Sequence, residues 1–199
     1  MQRTAKQKAK RRDLAQKTIP LFLKQGIRET TISQIAEHAG IGKGTIYHYF
    51  DSREDIIFEI YDAFNEDFYR YVEARLSTTT TVKEKLAVAL GYLTDQPDEF
   101  KAIMPIFNEY FAICLGNPTE KMQEYNQGMF QGYVAFLSGL FEEGIASGEI
   151  KNKNALHAVT TICAAIDGFF LYTEVLKDFD MKKEGPNFLQ FIYDYLGIE

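Results

Sequence analysis

Lys43, Thr45, Tyr47, His48 and Tyr49 crowd into seven residues, with Thr31 and Ser33 shortly before them and Arg53 shortly after. No carboxylate stands between Lys43 and Phe50. An ammonium, an imidazole, a guanidinium and several hydroxyls at this density suit hydrogen bonding to phosphate oxygens and to the acceptor-rich edges of bases. They do not suit covalent catalysis. The stretch 40–45 looks superficially like a phosphate loop, but that motif needs a glycine five residues before its Gly-Lys pair and Ser or Thr directly after the lysine. Glu37 and Gly44 stand in those places, and no strand precedes them. His38, His48 and His157 have no partner at metal-ligand spacing, Cys114 and Cys163 have nothing basic near them in sequence, and no serine sits in a nucleophile-elbow context. The chain is therefore read as a non-enzyme, with neither cofactor nor metal.

The polar side chains need a scaffold that holds them outward. Ile32, Ile35, Ala36 and Ala39 recur at i, i+3, i+4 and i+7 behind the Thr30-Thr31 pair, which predicts a helix with Thr31 as its N-cap. Gly40 should end it, since the chain reverses there and glycine enters the left-handed region without a Cβ clash. A second helix over about residues 43–50 buries Ile46 and Phe50 and leaves Lys43, Thr45, Tyr47, His48 and Tyr49 on its other faces. A helix of about eight residues is marginal alone and must lean on its neighbour. Two helices joined by a short glycine turn form a helix-turn-helix, whose second helix can enter a DNA major groove.

Gly26, Thr30-Thr31, Ile35-Ala36, Ala39-Gly40-Ile41, Gly44, Tyr47-x-Tyr49-Phe50 and Ser52-Arg53-Glu54 together form a pattern. That pattern resembles the DNA-binding domain of the TetR family of bacterial transcriptional regulators, closely over about residues 10–60 and beyond that only in length, helicity and helix order. The resemblance implies that Lys43, Thr45 and His48 reach base edges, with Lys43 suited to guanine acceptors. It gives Tyr47 and Tyr49 phosphate contacts through their hydroxyls, and Gly44 a close backbone approach. Thr31, Ser33 and Arg53 would meet phosphates at helix starts. Half-buried packing is the alternative for Tyr47 and Tyr49.

Charge is divided along the chain. The net value of −6 argues against nucleic acid when taken whole, yet residues 1–50 hold ten Lys/Arg against three Asp/Glu, and the remainder twelve against twenty-five. A basic head on an acidic body is the pattern of a DNA-binding module joined to another domain. Lys6, Lys8, Lys10, Arg11 and Arg12 add a basic arm, read as phosphate-contacting beside the helix-turn-helix and otherwise as solvated. Composition is ordinary for a globular protein, at 46 % hydrophobic and 25 % charged. Both cysteines lie in apolar contexts, no apolar run approaches the roughly 20 residues needed to span a bilayer, and no hydrophobic stretch follows the basic N-terminus. A cytoplasmic location is expected.

The whole chain reads as all-α, with about nine helices in two domains. An N-terminal three-helix DNA-binding domain occupies 1–51, and a C-terminal helical ligand-binding and dimerisation domain occupies 52–199. A first helix is expected over 8–25 with Pro20 inside it, and a long fourth over 52–76 connects the head to the rest. A fifth spans 82–94 and a sixth starts at Pro97 in its first turn, running to 115. The seventh covers 119–146, the eighth 154–176, and the ninth 187–196 after Gly185-Pro186.

Helix eight is apolar on more than one face, so either it is fully buried within one chain or it also packs against another subunit, and a second copy of the chain is the economical answer. Val159, Ile162, Ile166 and Phe170, with Phe188, Phe191 and Tyr195 of helix nine, are the expected homodimer interface. In the TetR family the corresponding helices pair as a four-helix bundle. A two-fold dimer would set two recognition helices on a palindromic operator. Phe68, Phe107, Tyr110, Phe111, Tyr133 and Phe136 supply either an ordinary core or the apolar wall of a ligand cavity, with Glu109 and Asp167 the acids beside it; for the cavity a lipophilic small molecule is the expected effector, a cation being favoured over an anion. The resemblance implies a ligand-responsive repressor released from DNA by that molecule. An activator or non-inducible DNA-binding protein is the first alternative. A helical lipid-binding or enzymatic bundle with an incidental basic arm is the second, and duplex-DNA binding separates it from the others.

Overall fold

The computed structural model describes residues 4–94 and 98–199, and of Tyr92, Glu99 and Phe100 the backbone alone. Every regular element among the described residues is helical. They are α1 (Ala5–Gln25), α2 (Ile32–His38), α3 (Lys43–Tyr49), α4 (Arg53–Leu76), α5 (Val82–Ala89), α6 (Asp98–Gly116), α7 (Glu120–Ser147), α8 (Val159–Val175) and α9 (Met181–Leu196). Short 3-10 turns at Gly91–Leu93 and Ala155–Ala158 precede α6 and α8. The all-α fold expected from the sequence is the fold found. The expected role of Pro97 lies outside the described residues.

Two compact units make up the chain: Met1–Tyr69 with Asp98–Tyr125, and Arg70–Pro97 with Asn126–Glu199. The first thus takes in α6 as well as the head expected at 1–51. Its interior is built from Leu14, Ala15 and Phe22 of α1, Ile35 and Ala36 of α2, Ile46 of α3, Ile56, Ile57 and Ile60 of α4, and Ile106 and Tyr110 of α6. Helix α1 starts earlier than expected, because Thr4 and Gln7 form a reciprocal capping box. It also runs through Pro20. Pro20 and Gln16, whose carbonyl loses its helical partner, are both exposed, so water can serve that carbonyl.

The second unit gathers Val82, Leu86 and Leu93, Leu140 and Phe141 of α7, Val159, Ile162, Cys163 and Ile166 of α8, and Ile192 and Leu196 of α9 around one core. Glu149 accepts the backbone N–H of Val82 at 2.7 Å and so tethers the start of α5. Helix α9 departs most from expectation. It begins at Met181, where the Asp180 carboxylate accepts the Lys182 N–H at 3.0 Å, and it passes through Gly185-Pro186 instead of starting after them. Gly185 is there for contact: a Cβ on it would lie 1.7 Å from the Leu93 carbonyl oxygen. Pro186 is exposed.

Helix α5 stops at Ala89 and gives way to the 3-10 turn, so it is shorter than the expected fifth helix. The stretch Ala155–Val175, by contrast, is 21 helical residues long and apolar enough to cross a bilayer by length and composition, which corrects the expectation of no such run. One face of it, from Val159 through Ile166, lies in the second unit's core.

Candidate nucleic-acid interface

The geometry of the α2–α3 pair follows from local rules. The Thr31 hydroxyl accepts the Gln34 N–H at 3.2 Å while the Gln34 side-chain Oε1 accepts the Thr31 N–H at 2.8 Å, a capping box that starts α2. At its other end Gly40 takes φ +66°, and N–H groups of Gly40 and Ile41 reach back to the carbonyls of Glu37 and Ala36. This is a Schellman turn, and it sets the angle between the two helices. Ile46 is fully buried and pins α3 from below. Lys43, Gly44, Thr45, Tyr47 and His48 are then exposed together, and Ser33 beside them on α2.

Gly44 has nothing within 4 Å of where a Cβ would stand. Nothing inside the protein therefore requires glycine there; an external surface approaching α3 closely would. Tyr49 is half-buried, edge-on to His48 at 5.0 Å between ring centres, and it shares an open groove of about 600 Å³ with the N-cap Thr4 and with Lys6, Gln7, Ala9, Lys10 and Asp13 of α1. The Tyr49 ring and Lys6 along this groove can meet a phosphate backbone, whereas Lys10 is engaged by Asp13.

Several expected contacts are used otherwise. Arg53 does not reach outward: its Nη1 donates to the carbonyls of Ile27, Arg28 and Thr30 at 2.9, 2.7 and 3.0 Å. Arg11 of the basic arm pairs with Glu59, donates to the carbonyls of Tyr49 and Asp55, and lies 4.4 Å over the Phe50 ring. Arg12 binds the Ala63 carbonyl and Asp67, each at 3.0 Å. The arm thus divides into two arginines that knit α1 to α4 and lysines that stay at the surface. Sequence spacing gave no sign of this division, because every partner lies more than 35 residues away.

The eight residues expected at an effector site fall in both units. In the first, Phe107 and Tyr110 are core residues, with Phe107 stacked on Tyr61 at 3.7 Å and Tyr110 edge-on to Phe58 at 6.0 Å. Phe68 is half-buried and Phe111 is 47 % exposed. Glu109 is not an effector-facing acid. Its two oxygens accept the backbone N–H groups of Ile27 and Arg28 at 2.7 and 3.1 Å. In the second unit, Tyr133 and Phe136 pack against the core, while Asp167 is exposed on α8, in apolar surroundings that raise its carboxyl above the ordinary range.

Of the expected interface residues, Val159, Ile162 and Ile166 are corrected: they are 1, 3 and 7 % exposed within a single chain and belong to its own core. Phe170 and Phe188 are partly buried against that core. Phe191 at 60 % and Tyr195 at 36 % remain exposed, joined by Leu171, Tyr172, Val175 and Leu176, which sequence reasoning passed over. Leu171 and Val175 are four apart on α8, so they share a face.

Comparison with known proteins agrees with this geometry. The family profile described as bacterial regulatory proteins, tetR family, matches residues 16–60. The fatty acid metabolism regulator protein of Bacillus subtilis is 30 % identical over 136 residues, 67 % of this chain and 66 % of that protein. The transcriptional repressor KstR2 of Mycolicibacterium smegmatis is 37 % identical over 84 residues, 42 % of this chain and 41 % of the repressor. The matches thus span about two thirds of the first relative's length and less than half of the second's. The crystal structure of the regulator FadR from Bacillus subtilis in complex with stearoyl-CoA, 23 % identical, superposes with a TM-score of 0.66 over 92 % of this chain and 97 % of that one, and so shares the fold. Because the profile lies on the very helices that present the exposed α3 row, and the relatives extend the likeness past them, the chain belongs to the TetR family of bacterial transcriptional regulators.

Proposed function

We propose that the chain is a cytoplasmic repressor that binds a pseudo-palindromic DNA operator as a homodimer and leaves it when a small, largely apolar effector binds. The observation that carries this is α3: Lys43, Thr45, Tyr47 and His48 face solvent from a helix whose inner residue, Ile46, is sealed in the head. A rigid cationic helix of this kind fits a major groove. Lys43 and Thr45 at its start read bases, and Tyr47, Tyr49, Ser33 and the α1 lysines position the head on phosphates. The reading contains no catalytic step.

Dimerisation runs through the exposed apolar residues of α8 and α9, chiefly Leu171, Val175, Phe191 and Tyr195. An apolar area of this kind is costly to leave in water. The effector is a long acyl chain. The Bacillus subtilis relative named for fatty acid metabolism and the Bacillus subtilis FadR structure holding stearoyl-CoA support this as one line of evidence, and the case for a cation weakens once Glu109 is occupied inside the first unit. The test is selection of bound sequences from random duplex DNA, followed by titration of the preformed complex with stearoyl-CoA and, separately, with choline. Release by stearoyl-CoA alone supports the reading. Release by choline alone overturns the effector class, and no selected sequence overturns the regulator.

A further inference from the structure

The turn joining α1 to α2 has few backbone bonds of its own. Its Ile27 and Arg28 N–H groups go to Glu109 of α6, and its Ile27, Arg28 and Thr30 carbonyls go to Arg53 at the start of α4. Gly26, at φ +83°, opens the turn with Glu109 oxygens only 3.0 and 3.1 Å from the site a Cβ would take. The carboxylate therefore sits directly on the backbone, and the turn's shape depends on two charges from other helices. In the first turn of α4, Asp55 pairs with Lys121 of α7 through one oxygen and accepts the Asp51 N–H at 2.9 Å through the other.

We propose that Glu109 is a positioning residue for operator recognition: by accepting both N–H groups it fixes the α1–α2 turn to α6, and so fixes the orientation in which α3 is offered to DNA. This rests on the DNA-binding reading above and deepens it. A carboxylate is needed because it alone offers two acceptors in the plane of the two donors; a carboxamide would turn its NH₂ towards one of them. Hydrogen bonds to a charged group are about twice as strong as neutral ones, so the joint is stiff while both are made. Any displacement of α6 then carries the turn, and the start of α2, along with it.

The experiment compares wild type, Glu109→Gln, the shortened Glu109→Asp, and Glu29→Gln as a control that removes the same charge from the turn's exposed side. Amide exchange is read at Ile27 and Arg28, and binding is read on selected pseudo-palindromes whose half-site spacing is lengthened stepwise. Glu109→Gln should speed exchange on the order of tenfold and flatten the spacing preference by about as much, with its salt dependence unchanged because no phosphate contact is lost. Glu109→Asp should fall between Gln and wild type, and keeps the comparison open should Gln fail to fold. Glu29→Gln should do neither. Wild-type exchange in Glu109→Gln, or fast exchange with an intact spacing preference, overturns the proposal. Wild-type protein that selects no duplex removes the DNA-binding reading and this proposal with it, and is told apart by failing before any variant is compared.

Discussion

The Tyr125 hydroxyl donates to Asp62 Oδ1 at 2.8 Å and holds an α4 carboxylate whose partial desolvation pushes it above the ordinary range. Desolvation is the larger influence, the hydrogen bond partly offsets it, and Glu59 and Glu66 add to the upward push. The folded-state value is raised, so ionisation of Asp62 opposes folding, and stability is gained as pH falls through that value towards the unfolded one. Tyr125→Phe removes the hydrogen bond that favours the charged form and leaves the weaker help of Arg11. Its expected outcome is a further upward move of Asp62 in a carboxyl NMR titration, and a loss of stability at neutral pH that shrinks on acidification. A loss that grows on acidification would contradict the direction of the shift.

On DNA, Lys43→Ala should relax preference at one operator position, with about 1–3 kcal/mol of discrimination lost if it reads a guanine. Tyr49→Phe should weaken all duplexes alike and leave preference intact. Quantitative binding to a panel of single-base operator variants separates the two. Equal, uniform losses from both would show that Lys43 only positions the head.

Ile166 and Phe191 should behave oppositely, although both were expected at the interface. Ile166 lies in the subunit core and Phe191 is 60 % exposed. Phe191→Glu should give a folded monomer in sedimentation velocity, since an unpaired charge buried in an interface costs about 3–5 kcal/mol. Ile166→Glu should lose the cooperative melt altogether. A dimeric Phe191→Glu protein would remove α9 from the interface.

For Gly185→Ala, the new Cβ would fall 1.7 Å from the Leu93 carbonyl oxygen, which is backbone and cannot swing away. The expected cost is about 3 kcal/mol or more, read as a drop in thermal midpoint. Gly44→Ala, with open space around it, should melt like wild type and lose DNA affinity instead.

What the sequence made legible was local. Thr31 and Gln34 are three residues apart and Gly40 acts on its immediate neighbours, so the start and end of α2 could be placed from types and spacing alone. The acids and arginines could not be placed so. Glu109 bonds across 82 and 81 positions, and Arg53 across 23 to 26; nothing in either neighbourhood announces a partner at that distance. Gly185-Pro186 misled because breaker rules are local, whereas the glycine answers to Leu93 more than ninety residues earlier. In α8, apolar residues on several faces told that the helix is covered but not which side is covered by its own chain. Val159, Ile162 and Ile166 turned out to be the inner side.

Arg11 has a consequence in time. Its guanidinium closes the head by reaching Tyr49, Asp55 and Glu59, the last of them 48 residues further along. At synthesis rates of about 5–20 residues per second, α1 waits roughly 2–10 s on the ribosome before that partner has even been made. Through that interval Arg11 lacks Glu59 while α2 is already available to the apolar Leu14–Phe22 face, so the head closes fully only after the first turns of α4 have been made.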